Sequence, residues 1–335
     1  MTFPNNFTLE DLDSIQIVAD NPPAGTIGVR LGLVCSLYMR DPHSLEVRMA
    51  LAKCGDHYQQ LFSEHLKCYI KPDGIYTGKP KSYPAQGINL VDYVRQYDNI
   101  EEKCFAPRFF GNEDYHAAAA YGMDIFATST RPSPIRDRPA YFSVVLPFSW
   151  LEGKEGEQAF QKLVHGWCQV LKPFHGYVGL GAIQSMDTIE KGRTNHLVYP
   201  LAKRFPGLDV DDPGTIASRM KGGSGGILKI KGVNWLTALD DECFEQLGGR
   251  QAVLSDLGEE FILYEYEGGV LIQAGLTPQL GDVNQQHIPG YYQQLARKLK
   301  PIRLIFPEGH YLIKSPNKNE QSNAEASNEW LARFD

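Results

Sequence analysis

The apolar residues of this chain follow two different periodicities, which predict strands interspersed with helices. Residues 26–39 and 139–148 are runs rich in β-branched and aromatic side chains, which is typical of buried strands. Residues 44–66 and 153–171 carry apolar side chains three and four positions apart, which is typical of amphipathic helices. Two apolar runs within 260–275 are separated by Glu-Gly-Gly, which favours a β-hairpin. This mixture predicts an α+β fold with mixed or antiparallel sheets, hairpins, and helices packed against the sheets.

Weaker patterns extend this assignment along the chain. Further strands are predicted in 115–128, 177–185 and 226–239, and further helices in 187–205, 240–249 and 288–302. We expect three parts: a polar lead-in over 1–25, an α+β region over 26–310 with a candidate division into 26–205 and 206–310, and a polar tail over 311–335. Within the tail, residues 315–329 are so polar that we expect them to be disordered.

Composition narrows the class of protein. The 335 residues include 40 acids and 33 bases, giving a net charge of −7, which argues against a dedicated nucleic-acid binder with a basic face. The N-terminus has no basic and apolar signal sequence, and no apolar run approaches the roughly 20 residues that a membrane span needs. The six cysteines form no CxxC pair. These features predict a soluble cytoplasmic protein with free thiols and no membrane contact.

One short stretch, RFPGLDVDDPG, crowds Asp209, Asp211 and Asp212 together. A calcium loop that started at Asp209 would place Pro213 and Met220 at positions that need oxygen ligands, so calcium is disfavoured. Asp-Pro-Gly is strong turn chemistry, but a turn needs only Asp212. We therefore expect Asp209 or Asp211 to be a spare acid at or near the surface, available to a partner.

Tests for catalytic motifs fail. The pattern GGSGG at 222–226 offers Ser224 as a nucleophile, but the predicted strand follows it instead of preceding it. GLGAIQ at 179–184 lacks the third glycine of a dinucleotide fingerprint, and the nine histidines include no HExxH. The residues themselves therefore predict neither catalytic residues nor a cofactor or metal site.

Several blocks taken together resemble one family. They are GVRLGLVCSLYMRDPHSLEVRMAL, RPAYFSVVLPFSWL, RFPGLDVDDPG, IKGVNWLTALDDECFEQLGG and GGVLIQAGLTPQLGD followed by IPGYYQQLARKLKPI. In this combination and order, over about residues 26–306, the chain is similar to type VI secretion immunity proteins, an uncharacterised-domain family paired with antibacterial effector toxins. The resemblance implies an inhibitor without enzymatic activity. It also implies a cognate effector toxin as partner, with nucleases of the restriction-endonuclease-like class among the known toxins, and no direct nucleic-acid binding.

The resemblance supplies no list of contact residues, so candidates come from charge. An acidic inhibitor is steered toward a basic nuclease cleft, which it can then occlude. A second acidic cluster at 240–242 can serve this purpose or can instead cap the helix that follows it. An adaptor that carries an effector to the secretion machinery, and a hydrolase that uses Ser224, are the alternative functions. The candidate partner-binding residues are Asp209, Asp211, Asp212, Asp240, Asp241 and Glu242.

Overall fold

One twelve-stranded sheet with helices on both faces organises the residues that a computed structural model of the chain describes. These residues are 9–19, 25–73, 79–96, 99–132, 137–221, 227–315 and 320–335. The strands are β1 (Gln16–Val18), β2 (Ile27–Met39), β3 (Cys68–Ile70), β4 (Lys81–Ser82), β5 (Arg108–Phe110), β6 (Gly122–Phe126), β7 (Ala140–Leu146), β8 (His175–Gln184), β9 (Asp209–Val210), β10 (Leu236–Asp240), β11 (Phe261–Tyr266) and β12 (Gly269–Ala274).

The helices of the described residues are five to nineteen residues long. None of the helices in the described ranges is both long enough and apolar enough to cross a bilayer. The helices are α1 (Leu9–Asp13), α2 (Leu45–Phe62), α3 (Leu90–Gln96), α4 (Gly153–Leu171), α5 (Thr188–Arg204), α6 (Pro213–Met220), α7 (Asp241–Gln246), α8 (Arg250–Leu254), α9 (Gly290–Leu299) and α10 (Glu320–Leu331).

The two longest strands form the centre of the sheet. β2 pairs with β8 from Val29↔Gln184 to Tyr38↔His175, and the order across the sheet is β11-β12-β10-β8-β2-β7-β6-β5-β3-β4. β1 pairs with β2 outside this order, and β9 pairs with β8. The β8–β9 pair is parallel and the other pairs are antiparallel, so hairpins and long antiparallel returns build the sheet.

The alternation of side chains along β2 separates two layers of helices. On one face, Cys35 lies near cysteines of α2 and α4, and Trp167 of α4 packs edge-on against Phe142 of β7 with ring centroids 5.1 Å apart. On the other face, Gly28 approaches α5 so closely that a Cβ there would lie 2.9 Å from Thr194. Burial on both faces explains why β2, β7 and β8 read as continuous apolar runs.

The α+β prediction is confirmed, and most predicted elements are present. The helix predicted over 153–171 is α4, residue for residue, and the hairpin predicted over 260–275 is β11–β12. Between 227 and 239, only β10 is a regular strand, because the residues before it form isolated bridges. The sheet runs without a break across the boundary at 205 and 206, and the candidate division there stays a prediction.

The prediction of disorder over 315–329 is wrong for the described part of that range, because α10 packs against the body of the protein. Trp330 and Phe334 are buried, and the Phe334 ring lies 5.5 Å from that of Tyr292 in α9. Polar residues also anchor the segment: the hydroxyl of Ser327 accepts hydrogen bonds from the amides of Leu312 and Ile313. A few large apolar anchors and specific polar contacts thus order a segment whose average composition is polar.

Candidate functional site

The first two residues of the DVDD segment form β9, which lies in the interior. Asp209 pairs with Gly181 of β8 and is 1% exposed. Its carboxylate forms an ion pair with Lys231 and accepts a hydrogen bond of 3.0 Å from Nδ2 of Asn234. Gly179 leaves room for that amide, since a Cβ at this position would lie 2.2 Å from Oδ1 of Asn234. The glycines of β8 therefore serve close packing.

Lys231 is buried with its charge. Its Nζ donates to Asp209 and to the carbonyl oxygen of Val210 at 2.7 Å, and it lies 3.7 Å from the centroid of the Tyr177 ring. Burial lowers the pKa of Lys231, and the neighbouring carboxylates of Asp209 and Asp211 oppose this shift. The ammonium group is thus satisfied by an anion, a carbonyl and an aromatic face, as a buried cation requires.

Asp211 is buried against one face of the sheet, where its side chain contacts residues of β8, β2 and β7. Its carboxylate accepts hydrogen bonds from the hydroxyls of Tyr177 at 2.7 Å, Ser36 at 2.8 Å and Ser143 at 3.2 Å. Burial raises the pKa of Asp211, while Lys231 and the hydrogen bond from Tyr177 oppose the shift. The expectation that Asp209 or Asp211 is a spare acid at the surface is therefore wrong. Both are inside because Lys231 and the hydroxyl groups offset their desolvation and their mutual repulsion.

Asp212 begins helix α6. Its Oδ1 accepts from the amide of Thr215 at 3.1 Å, and Pro213 occupies the first turn of the helix. Asp-Pro-Gly is therefore a helix start rather than the predicted turn, because aspartate at the N-cap followed by proline also suits a helix N-terminus. Nζ of Lys191 lies 3.6 Å from the same oxygen.

A cleft of about 440 Å³ opens beside Asp212, between the start of α5 and the start of α6. Charged side chains pair along its walls: Nε of Arg108 lies 3.0 Å from Oδ1 of Asp124, and Lys191 faces Asp212. This pairing largely neutralises the lining. The residues that line the cleft include Arg108, Asp124, Tyr141, Asp187, Lys191 and Asp212.

The second acidic cluster lies at one end of the sheet. β2 and β10 both run antiparallel to β8, so Tyr38 and Leu239, near their C-terminal ends, both pair with His175 at its start. Asp240 pairs with Gly269, which brings the β11–β12 turn to the same end. Asp240 also caps α7, accepting from the amide of Cys243 at 2.8 Å, as one of the two sequence interpretations expected.

Six acids and three bases form a continuous surface at this end, which we call the acidic rim. Each base contacts two acids, with nitrogen–oxygen distances of 2.5–3.8 Å, and six acids against three bases leave an excess of three negative charges. Sequence reasoning missed half of the acids, because they come from α2 and from the hairpin. The contacts are Arg40 with Asp240 and Glu242, Lys172 with Glu46 and Glu267, and Arg250 with Asp241 and Glu265.

Two titratable groups near the buried acids, His175 and Tyr177, are held in their neutral forms. Burial lowers the pKa of His175 to about 3, and its ring nitrogens lie 3.2 Å from the carbonyl oxygen of Ala238 and 3.3 Å from the amide of Lys231. Burial also raises the pKa of Tyr177. Such groups suit a rigid polar core better than proton transfer near neutral pH. Ser224, on which the hydrolase alternative depends, lies outside the described residues.

Comparisons with known proteins agree with the resemblance in the sequence blocks. The model of the family described as "TsiV: Type VI immunity for VRR-NUC" matches residues 50–334. Among solved structures, the chain is similar to Pseudomonas aeruginosa T6SS protein PA0821, with 25% identity and a TM-score of 0.80 over 96% of this chain and 87% of that chain. No curated protein matches the chain. Since the family match spans most of the sequence, the chain belongs to the TsiV family of type VI immunity proteins.

Proposed function

We propose that this protein binds a VRR-NUC effector nuclease and neutralises it by covering the surface that receives nucleic acid. The observation that carries this proposal is the match of residues 50–334 to a family of type VI immunity proteins for VRR-NUC. In this account the protein acts by binding alone, in the cytoplasm, with no catalytic residue and no cofactor. Inhibition is stoichiometric, because each bound effector occupies one protein.

We propose the acidic rim as the contact surface. A nuclease must attract a polyanion, so its substrate cleft is complementary to an acidic surface. Five of the six acids of the rim, all but Asp240, are more exposed than its bases: the side chains of Glu242 and Glu267 are 69% and 78% exposed, whereas that of Arg40 is 25% exposed. A positively charged partner therefore meets carboxylates first. The same charge disfavours direct binding of nucleic acid by this chain.

The rim also offers an apolar contact and a rigid base. Leu45, the first residue of α2, is 57% exposed directly beside Glu46. Apolar side chains near the centre of an interface often supply much of its binding energy, while rim charges set the association rate and the orientation. Because the acids project from strand ends and helix starts, little ordering is required when a partner binds.

Co-expression tests the proposal. Bacteria that express an active VRR-NUC effector, encoded beside the gene for this chain, should lose intact chromosomal DNA and stop growing. Co-expression of this protein should restore both DNA integrity and growth. An effector that co-purifies with the protein while the DNA is still degraded would favour the adaptor function. Loss of DNA integrity with no complex formed would contradict both functions.

A further inference from the structure

We propose that His116, Asp187 and Glu190 form a binding site for a divalent transition-metal ion, Zn²⁺ foremost. One donor atom of each residue lies within 4.8 Å of the other two, and Nδ1 of His116 is 3.8 Å from Oε1 of Glu190. Zinc bonds of about 2.0–2.2 Å place neighbouring ligand atoms roughly 3–4 Å apart. Small side-chain rotations therefore suffice to bring the three donors around one ion.

The imidazole of His116 supplies an independent observation. Its Nδ1 is buried and has no hydrogen-bond partner among the described residues, while the His116 side chain as a whole is 34% exposed. Buried polar nitrogens are rarely left unsatisfied, so this atom calls for a ligand. This nitrogen lies 3.8 Å from Oε1 of Glu190, whose side chain is 11% exposed. A cation between the two would satisfy the nitrogen and would share the Glu190 carboxylate with Arg193.

The surrounding contacts hold the donors in place. Asp187 caps α5, and its Oδ1 accepts from the amides of Ile189 at 3.0 Å and Glu190 at 3.1 Å. Nη1 of Arg193 contacts Oε1 of Glu190 at 2.6 Å, in the way that outer hydrogen bonds orient metal-binding carboxylates. The amide of His116 donates to Oδ1 of Asp114 at 3.0 Å, which fixes the loop that carries the imidazole.

The donor set indicates the class of metal. One imidazole nitrogen and two carboxylates suit zinc and neighbouring transition metals, whereas calcium and magnesium prefer oxygen ligands alone. Three protein ligands leave a coordination position for water. The ion would join the loop around His116 to the start of α5, where Asp187 also lines the cleft.

The test is a zinc titration of the full-length, untagged protein after treatment with a chelator and removal of the chelator. Competition with a chromophoric zinc indicator should reveal one equivalent of Zn²⁺ per chain, bound more tightly than Mn²⁺. His116→Ala should weaken zinc binding by more than about tenfold. His310→Ala, which alters an exposed histidine outside the site, should leave zinc affinity unchanged.

A second variant separates lost ligation from lost folding. Asp187→Asn keeps a side chain that caps α5 but weakens its metal-binding oxygen, so it should lower zinc affinity while the metal-free melting temperature stays close to that of the wild type. The proposal is overturned if the wild type binds less than one equivalent of zinc. It is also overturned if His116→Ala and His310→Ala bind zinc equally well.

Discussion

Lys231 and Asp209 form an ion pair inside the protein, between the short strand β9 and the segment that leads to β10. The pair explains why acids that look spare in the sequence are structural. Five of the six acids of the acidic rim, by contrast, have side chains that are at least 54% exposed.

Removal of the buried cation should destabilise the fold. Lys231→Met leaves the carboxylate of Asp209 buried without its ion-pair partner, and breaking one side of such a pair costs about 3–5 kcal/mol. Urea denaturation measures the free energy of unfolding of each variant. Lys203→Met, which removes a half-exposed lysine paired with Glu329, serves as the control and should cost about 1 kcal/mol or less.

A double substitution checks the pairing itself. Lys231→Met combined with Asp209→Asn removes both charges, so its loss of unfolding free energy should be smaller than the sum of the two single losses. Strictly additive losses would show that the two side chains do not stabilise each other.

The neutral, buried His175 should make the free energy of unfolding depend on pH. Its pKa is lowered to about 3, whereas an unfolded histidine titrates near 6.5. Between these values the unfolded chain binds a proton that the folded chain does not, so stability falls as pH decreases from about 6.5 toward 3. The total contribution of this shift to the free energy of unfolding is on the order of 5 kcal/mol.

The variant His175→Gln removes this titration and keeps a polar side chain between Ala238 and Lys231. Its unfolding free energy should change less between pH 7 and pH 4 than that of the wild type, while His310→Gln should keep the wild-type profile. Parallel profiles for His175→Gln and the wild type would contradict a neutral, buried His175.

Helix α10 should contribute to global stability. Trp330 is buried, and its ring centroid lies 5.2 Å from Nζ of Lys231 and 3.7 Å from Cζ of Arg333. Trp330→Ala should therefore cost about 3–5 kcal/mol in unfolding free energy. Glu329→Ala, at the adjacent exposed position, should leave thermal denaturation nearly unchanged. A small loss of unfolding free energy in Trp330→Ala would contradict the docking of α10 and would support the disordered tail that composition predicts.

Sequence patterns predicted elements that are long and periodic, such as α4 and β2, because burial on one or two faces leaves a direct trace in the sequence. They failed for α10, where Trp330 and Phe334 are anchors within a polar segment, and for Asp209, whose partner lies 22 residues away. One signal for the buried pair was available: Lys231 stands between apolar residues in LKIKGV.

The acidic rim and the proposed metal site show why a surface is harder to predict. Glu46, Asp240 and Glu267 come from three separate parts of the chain and meet only through the register of the sheet. His116 and Asp187 lie far apart in sequence, with no spacing motif between them. A single sequence does not show which distant residues lie close together, so these two sites could be identified only from the folded structure.

Neutralising two exposed acids of the rim should slow association with the effector. Asp241→Asn with Glu242→Gln removes carboxylates whose side chains are 54% and 69% exposed. Association should slow by about tenfold at low salt and by less at 1 M salt, where the Debye length is about 3 Å. Stopped-flow or surface-based kinetics measure the rate.

The matched control is Glu64→Gln, an acid with an 81% exposed side chain just beyond the far end of α2. Eighteen residues of helix place it about 27 Å from Glu46, so its removal should leave the association rate unchanged. Equal rates for the rim variant and the wild type would place the contact surface elsewhere.

Titration of nuclease activity tests the central claim most directly. A purified VRR-NUC effector, encoded beside the gene for this chain, is incubated with DNA and increasing amounts of this protein, and cleavage is measured at each ratio. The account predicts that cleavage falls linearly to zero at a fixed molar ratio, with the effector recovered intact in a complex. Undiminished cleavage in the presence of excess protein would contradict it.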